Sequence, residues 1–232
     1  MSGVRTKLLA LDLDGTLVDS APDIAHCLGA ALEGVGFDAP GEPRTRAWIG
    51  DGIETVIARA LAAADAEHAG RGAPRDARAA SDRQAAVLAA FTACYRNNLF
   101  ERTVIYPGVE ATLDSLRARG IRLCCITNKR HAFSEALLRE AALRDRFELV
   151  LGGDSLPEKK PSPLPLTTAA DELGVEPASA TLVGDSPQDL RAARAAGFGF
   201  VFADYGYGKV DSTELGSSPR IARFAEIESL ID

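Results

Sequence analysis

The sequence predicts an α/β fold: a Rossmann-like, doubly wound parallel sheet core with an inserted α-helical domain. Three observations carry that expectation. Short apolar runs alternate with helical segments through the second half of the chain, the pattern of a parallel sheet covered on both faces. A first apolar run, Leu8 to Leu13, stands near the N-terminus and ends in acids. Between it and the rest lies a stretch from about Pro22 to Phe100, rich in Ala, Leu and Arg, with helical spacing and no convincing strand.

The run Lys-Leu-Leu-Ala-Leu-Asp-Leu-Asp-Gly, from Lys7 to Gly15, reads as a buried strand followed by a tight turn. In the inserted stretch, Asp23 to Leu32, Glu54 to Ala64 and Asp82 to Asn97 suggest the helices of a small bundle. The Ala69 to Ala80 segment between them is polar and broken by Gly and Pro, so it reads as a solvated loop or a frayed helix end. Further on, Val109 to Arg119 has helical spacing and stops at Gly120, a plausible cap. Ile121 to Ile126 is the second strand and Ala132 to Leu143 a helix. Phe147 to Leu151 is the third strand, and Leu164 to Leu173 a helix closed by Gly174. Ala180 to Val183 is the fourth. Pro187 to Ala196 carries Pro in the first turn and ends at Gly197, and Phe198 to Ala203 is the fifth strand. The expected division is therefore core over 1–20, helical insertion over 21–103 and core over 104–232.

A chain of 232 residues is long enough for a core plus a smaller inserted domain. Its net charge of −7 argues against a nucleic-acid binder and against adhesion to an anionic membrane. An anionic substrate stays compatible, because a bound cation inverts the local field. Cys27, Cys94, Cys124 and Cys125 form no C-x-x-C pair and read as buried, reduced thiols. The apolar stretch at the N-terminus is too short for a signal peptide, and no window approaches a membrane span, so a cytoplasmic location is expected. His26, His68 and His131 show no metal-ligand spacing.

The chemistry gathers at predicted strand ends, where open α/β sheets bind ligands. Asp12 and Asp14 flank Leu13, with Gly15 and Thr16 following. Taken alone, these acids either hold a cation or merely satisfy turn amides. The second strand ends in Thr127-Asn128-Lys129, and the fourth in Gly184-Asp185-Ser186, with Asp189 one helical turn later. The connection after the third strand carries Lys159-Lys160-Pro161. Each has a bland explanation: Thr as a β-former, Lys as surface charge, Asp185 as a helix cap. Their conjunction at one sheet edge is harder to explain that way.

These residues resemble the haloacid dehalogenase superfamily. Asp12-Leu-Asp-Gly-Thr-Leu-Val-Asp19 matches its first motif, Thr127 the second, Lys160 the third, and Gly184-Asp185-Ser186-Pro187-Gln188-Asp189 the fourth, in order and across almost the whole chain. The resemblance implies a Mg²⁺-dependent phosphatase acting through an aspartyl-phosphate, with the helical insertion as its cap. Asp12 would be the nucleophile and Asp14 the acid and base. Asp12, the backbone carbonyl of Asp14 and Asp185 would hold Mg²⁺, with Asp189 orienting a ligand water. Thr127, the Asn128 amide and Lys160 would hold the phosphate oxygens, with Lys159 the rival for the lysine role. The partner implied is a small phosphorylated metabolite, handled by a monomer or homodimer.

Within the superfamily the chain is most similar to the phosphoglycolate phosphatases. Trp48-Ile-Gly-Asp-Gly52 before a helix with Arg59-Ala-Leu61, Tyr106-Pro-Gly108, Thr127-Asn-Lys129, Gly152-Gly-Asp154 and Tyr205-Gly-Tyr207 carry that similarity. Gly50, Asp51 and Gly52 would form a substrate loop whose amides suit a small carboxylate, or Gly50 and Gly52 simply make a turn. Asp51 departs from the Asn usual in that family. Its side chain is expected to face solvent or an Arg such as Arg46. Arg59 is either a surface charge or a substrate clamp. The Arg/Ala-rich segment from Arg71 to Arg83 matches nothing in the family. A phosphatase for another small metabolite or sugar phosphate is the alternative. A β-phosphoglucomutase-type mutase fits less well, because mutases carry Val where this chain has Thr16. A non-catalytic binding module would lack one of Asp12, Asp14, Lys160 or Asp185.

Overall fold

In a computed structural model, residues 6–68 and 77–231 are described. Along them run the strands β1 (Leu8–Leu11), β2 (Val18–Asp19), β3 (Val104–Ile105), β4 (Arg122–Ile126), β5 (Leu149–Leu151), β6 (Ala180–Gly184), β7 (Gly199–Ala203) and β8 (Arg220–Ile221). The helices are α1 (Ala21–Glu33), α2 (Glu42–Arg46), α3 (Ile53–His68), α4 (Ala77–Asn97), α5 (Val109–Ala118), α6 (His131–Glu140), α7 (Leu164–Glu172), α8 (Pro187–Ala196) and α9 (Ser212–Leu215). They form two units, Met1–Asp19 with Val104–Asp232 and Ser20–Thr103. None of the described helices is long and apolar enough to cross a membrane.

The first unit is built on a six-stranded sheet in the order β5-β4-β1-β6-β7-β8, every neighbouring pair parallel. β1 lies inside it, and Leu8, Leu9, Ala10 and Leu11 are all fully buried. A strand covered on both faces needs apolar side chains at every position, which is why this run does not alternate. Leu11 stands in register with Cys125 of β4 and Val183 of β6. Asp12, Thr127 and Asp185 therefore leave the sheet at one edge.

β1 stops two residues before the predicted Leu13. The Leu13 carbonyl accepts the N–H groups of Thr16, Leu17 and Val18, so the chain has already turned there. Val18 and Asp19 then pair antiparallel with Ile105 and Val104. The β2–β3 ribbon and β8 are too short to show in sequence periodicity. α8 starts at the Ser186 N-cap, where the Ser186 hydroxyl and the Asp189 carboxylate exchange bonds with each other's backbone N–H. Ser186, and not Asp185, is therefore the helix cap.

The second unit is a helical bundle. α1 packs on α2 and α4, and α3 on α4. Val87, Phe91 and Tyr95 form the buried stripe of α4 at four-residue spacing, with the Phe91 and Tyr95 rings stacked 5.2 Å apart. α4 begins earlier than predicted, so 77–80 of the expected loop is helical, and the remainder of that loop, 69–76, lies outside the described residues. Arg83 of the Arg/Ala-rich segment bonds Asp65 at 2.7 Å and lies over the Phe37 ring. The buried Asp23 carboxylate accepts the backbone N–H groups of Arg102 and Thr103 and the Thr103 hydroxyl, clipping the start of α1 to the end of the unit.

One expectation is overturned here. Cys27 and Cys94 are disulfide-bonded, with Cα atoms 5.5 Å apart. Their sequence separation of 67 hides the pairing in the sequence, and the α1–α4 contact creates it. Cys124 and Cys125 are the buried free thiols expected, and burial raises both well above the ordinary thiol pKa.

Candidate active site

The sheet edge brings Asp12, Lys160, Asp185 and Asp189 together. Asp12 extends the β1 ladder by one bond, its N–H donating to Val183 at 3.0 Å. Lys160 arrives from the loop after β5, and its ammonium lies 2.9 Å from Asp12 Oδ1 and 2.6 Å from Asp189 Oδ1. It also donates to the Ile126 carbonyl at the end of β4. Lys160 thus reaches both Asp12 and Asp189. The Lys160 carbonyl accepts the Asn128 side-chain amide at 2.9 Å, tying this loop to the end of β4. Thr127 Oγ1 accepts the Lys129 N–H at 3.2 Å.

Asp185 is gripped by the Tyr205–Gly208 loop. Its Oδ2 accepts the N–H of Tyr207 at 2.7 Å and of Gly208 at 3.1 Å, and Thr16 Oγ1 lies 3.4 Å from Oδ1. A β-carbon at Gly206 would lie 2.3 Å from the Asp185 Cβ, so only glycine lets the loop approach this closely. The Tyr205 and Tyr207 hydroxyls donate to the Thr16 carbonyl and to Asp19, which fastens the same loop to the turn after β1. The Gly152-Gly153-Asp154 motif has a comparable packing role. Added β-carbons would run into the His131 and Asn128 backbones, and Asp154 accepts the His131 N–H at 2.6 Å.

Asp12, Asp185 and Asp189 are buried, and a ligand oxygen from each lies within 4.8 Å of the others. Burial pushes Asp12 up to about 6, with Lys160 opposing and Asp189 adding to the rise. Burial pushes Asp185 up to about 8, helped by Asp12 and Asp189 and resisted by the Tyr207 and Gly208 N–H groups. Burial alone would lower Lys160, but Asp12 and Asp189 outweigh it and hold its pKa above the ordinary value. The cluster thus holds three carboxylates and one ammonium, which contacts two of them, Asp12 and Asp189. This all-oxygen donor set, with more negative charge than Lys160 offsets, fits a hard divalent cation.

Asp14 is oriented differently. Its carboxylate is held by the Lys129 ammonium, 3.1 Å from Oδ1 and 3.0 Å from Oδ2, and the two side chains are largely buried. Its side chain is therefore apart from the three-carboxylate cluster, leaving the backbone carbonyl as the group sequence reasoning assigned to the metal. Sequence reasoning assigned Lys129 no role; its place after Thr127 and Asn128 at a strand end is the signal that points to it.

Gly50, Asp51 and Gly52 belong to the helical unit, between α2 and α3. Gly50 (φ +129°) and Gly52 (φ +87°) both occupy the left-handed region that favours glycine. The Asp51 carboxylate bonds Arg59, whose guanidinium also donates to the Trp48 carbonyl at 2.9 Å. An arginine partner was expected for Asp51, and Arg46, the example named, is paired with Glu42 at 2.6 Å. Arg59 lies two helical turns along α3 from the loop, and α3 turns it back onto Asp51.

A family model of haloacid dehalogenase-like hydrolases matches residues 6–197. The chain belongs to that family. It is 39% identical over 228 residues to the phosphoglycolate phosphatase of Nitrosococcus oceani, covering 98% of this chain and 97% of that one. It is 40% identical over 225 residues to that of Chromobacterium violaceum, covering 97% and 96%. A crystal structure described as a predicted phosphoglycolate phosphatase from Haemophilus somnus 129pt superposes with a TM-score of 0.89 at 32% identity, covering 97% of each chain. This haloacid dehalogenase-like hydrolase is therefore an enzyme.

Proposed function

We propose that this hydrolase is a Mg²⁺-dependent phosphatase that cleaves 2-phosphoglycolate to glycolate and phosphate through an aspartyl-phosphate on Asp12. The observation that carries the reading is the convergence of Asp12, Lys160, Asp185 and Asp189 at one sheet edge, with Asp14 two residues after Asp12 in the chain. A buried carboxylate backed by an ammonium suits nucleophilic attack on a phosphate.

Asp12, the Asp14 carbonyl and Asp185 would hold Mg²⁺, with Asp189 orienting a ligand water. When bound, the cation neutralises phosphate oxygens and offsets the surplus negative charge of the acids. An Asp12 carboxylate oxygen attacks phosphorus as the bond to the glycolate oxygen breaks. The Asp14 carboxyl gives its proton to that leaving oxygen, then takes one from the water that attacks the phosphorus, releasing phosphate and freeing Asp12. Lys160, Thr127 and the Asn128 amide hold the phosphate oxygens. Residues 21–103 serve as the cap that reads the leaving group, through the Gly50–Asp51–Gly52 loop. The names of the relatives at 39–40% identity support the choice of substrate.

The test is phosphate release from a panel at fixed Mg²⁺, comparing 2-phosphoglycolate with hexose phosphates. The highest kcat/KM is expected on 2-phosphoglycolate. Preference for a hexose phosphate would overturn the substrate assignment, and no release from any ester would overturn the phosphatase reading.

A further inference from the structure

We infer that Lys129 is a positioning residue for Asp14, holding the carboxylate in the orientation that proton transfer to and from the reacting oxygens needs. The inference rests on the phosphatase reading above and adds a residue to it. Both Asp14 oxygens lie within 3.1 Å of the Lys129 ammonium, and the lysine side chain is only 7% exposed. A carboxylate on a turn has two side-chain torsions to fix, and a single ammonium bridging both oxygens fixes them together.

The lysine is itself well anchored. Its N–H donates to Thr127 Oγ1 at 3.2 Å, and its carbonyl accepts the Gly153 N–H at 2.7 Å. Gly153 presses so closely on the Asn128 carbonyl that a β-carbon there would sit 2.4 Å from it. The backbone delivering Lys129 is therefore held by β4, the loop after β5 and the start of α6. A side chain that orients a catalytic group is effective when its own backbone has no freedom to move. Lys160 is engaged elsewhere, by Asp12, Asp189 and the Ile126 carbonyl.

A residue that acts through Asp14 has a kinetic signature different from one that binds phosphate. The proton given by Asp14 matters for a poor leaving group such as glycolate and little for 4-nitrophenolate. The full-length Lys129→Met, Asp14→Asn and doubly substituted enzymes are compared with wild type on 2-phosphoglycolate and 4-nitrophenyl phosphate, with Mg²⁺. Lys129→Met is expected to lose about 100-fold in kcat on 2-phosphoglycolate with KM changed less than about threefold. On 4-nitrophenyl phosphate it should give a burst of 4-nitrophenolate followed by slow turnover. The double variant should be no slower than Asp14→Asn alone, because the two substitutions remove one function. Lys129→Arg should restore part of the loss. If Lys129→Met does not fold, Lys129→Arg and its double with Asp14→Asn carry the same comparison. Losses that multiply in the double variant, or a KM rise of about 100-fold without a burst, would overturn the positioning role while leaving the phosphatase reading standing. A wild-type enzyme that hydrolyses neither ester would overturn both.

Discussion

A β-carbon at Gly15 would lie 2.4 Å from Asp185 Oδ2, closer than unbonded atoms can approach. Asp185 cannot swing aside, because the same oxygen is held by the Tyr207 and Gly208 N–H groups. Gly15 also sits at φ +87°, which strains any other residue. Gly15→Ala should therefore displace a proposed Mg²⁺ ligand and destabilise the fold by about 1–3 kcal/mol. Mg²⁺ titration followed by thermal melting checks it: the variant should lose most of the Mg²⁺-induced rise in Tm. A wild-type response to Mg²⁺ would show that the contact is soft.

Asp12→Asn should abolish turnover, with kcat down at least about 1,000-fold, because an amide is a poor nucleophile. The fold should survive. Asp12 is charged in a buried place beside Asp185 and Asp189, and the amide removes one of those charges. Without Mg²⁺ at pH 8, the variant's Tm should equal or exceed that of wild type. Substantial remaining turnover on 2-phosphoglycolate would remove Asp12 from the nucleophile's place.

Stability of the metal-free enzyme should carry a pH signature. Asp12 and Asp185 have ordinary values of 3.8, raised in the fold to about 6 and about 8. Above pH 3.8 the unfolded chain has lost protons that the folded state still holds, so this contribution to stability falls as pH rises toward 8. A divalent cation competes with those protons and offsets the charge they leave behind. The Tm gain on adding Mg²⁺ to EDTA-treated protein should be larger at pH 8 than at pH 5. An equal gain at both values would mean that the cation binds away from these acids.

The core was legible because its signals are local. An uninterrupted apolar run such as Leu8–Leu11 announces a strand buried on both faces, and Pro187 with Gly197 brackets α8 almost to the residue. Asp12 and Asp185 were legible as candidates because each follows a parallel strand, and strands in register end together, whereas Lys160 and Asp189 lie farther from a strand and were singled out through the family resemblance. What the sequence hid is pairing across distance. Lys129 meets Asp14 from 115 residues away, and Cys27 meets Cys94 across 67. Asp51 meets Arg59 only because α3 carries the guanidinium back over its own N-terminus. Elements of two residues, such as β2 and β3, have no periodicity to read.

The Cys27–Cys94 disulfide should stabilise the helical unit. Its cysteines lie 67 residues apart, and a loop of that length restricts the unfolded chain by up to about 4 kcal/mol. Reduction, or Cys27→Ser, should cost about 2–4 kcal/mol in denaturant unfolding. A thiol assay on denatured protein kept free of reductant should find Cys124 and Cys125 alone. Four reactive thiols would show that the bond does not form in the isolated protein.

Asp51 raises a specificity question that its pairing with Arg59 answers in part. An acid on a loop that receives a small carboxylate would repel it where water is excluded. Here Arg59 bonds the Asp51 carboxylate and the Trp48 carbonyl at once, so it balances the charge and ties down both ends of the turn. Asp51→Asn should therefore change kcat/KM for 2-phosphoglycolate by less than about tenfold, or roughly 1.4 kcal/mol. Arg59→Ala should do more harm, because it removes both the bond to the Asp51 carboxylate and the tie to the Trp48 carbonyl. A fall of about tenfold or more in kcat/KM, mainly through KM, is expected. Adding Asp51→Asn to Arg59→Ala should then recover part of that fall, since the repelling charge is gone although the turn stays loose. The measurement is a double-mutant cycle on kcat/KM. A gain of about a hundredfold from Asp51→Asn alone would mean that Arg59 does not mask the acid, and that the loop was shaped for a substrate with hydroxyls where glycolate has its carboxylate.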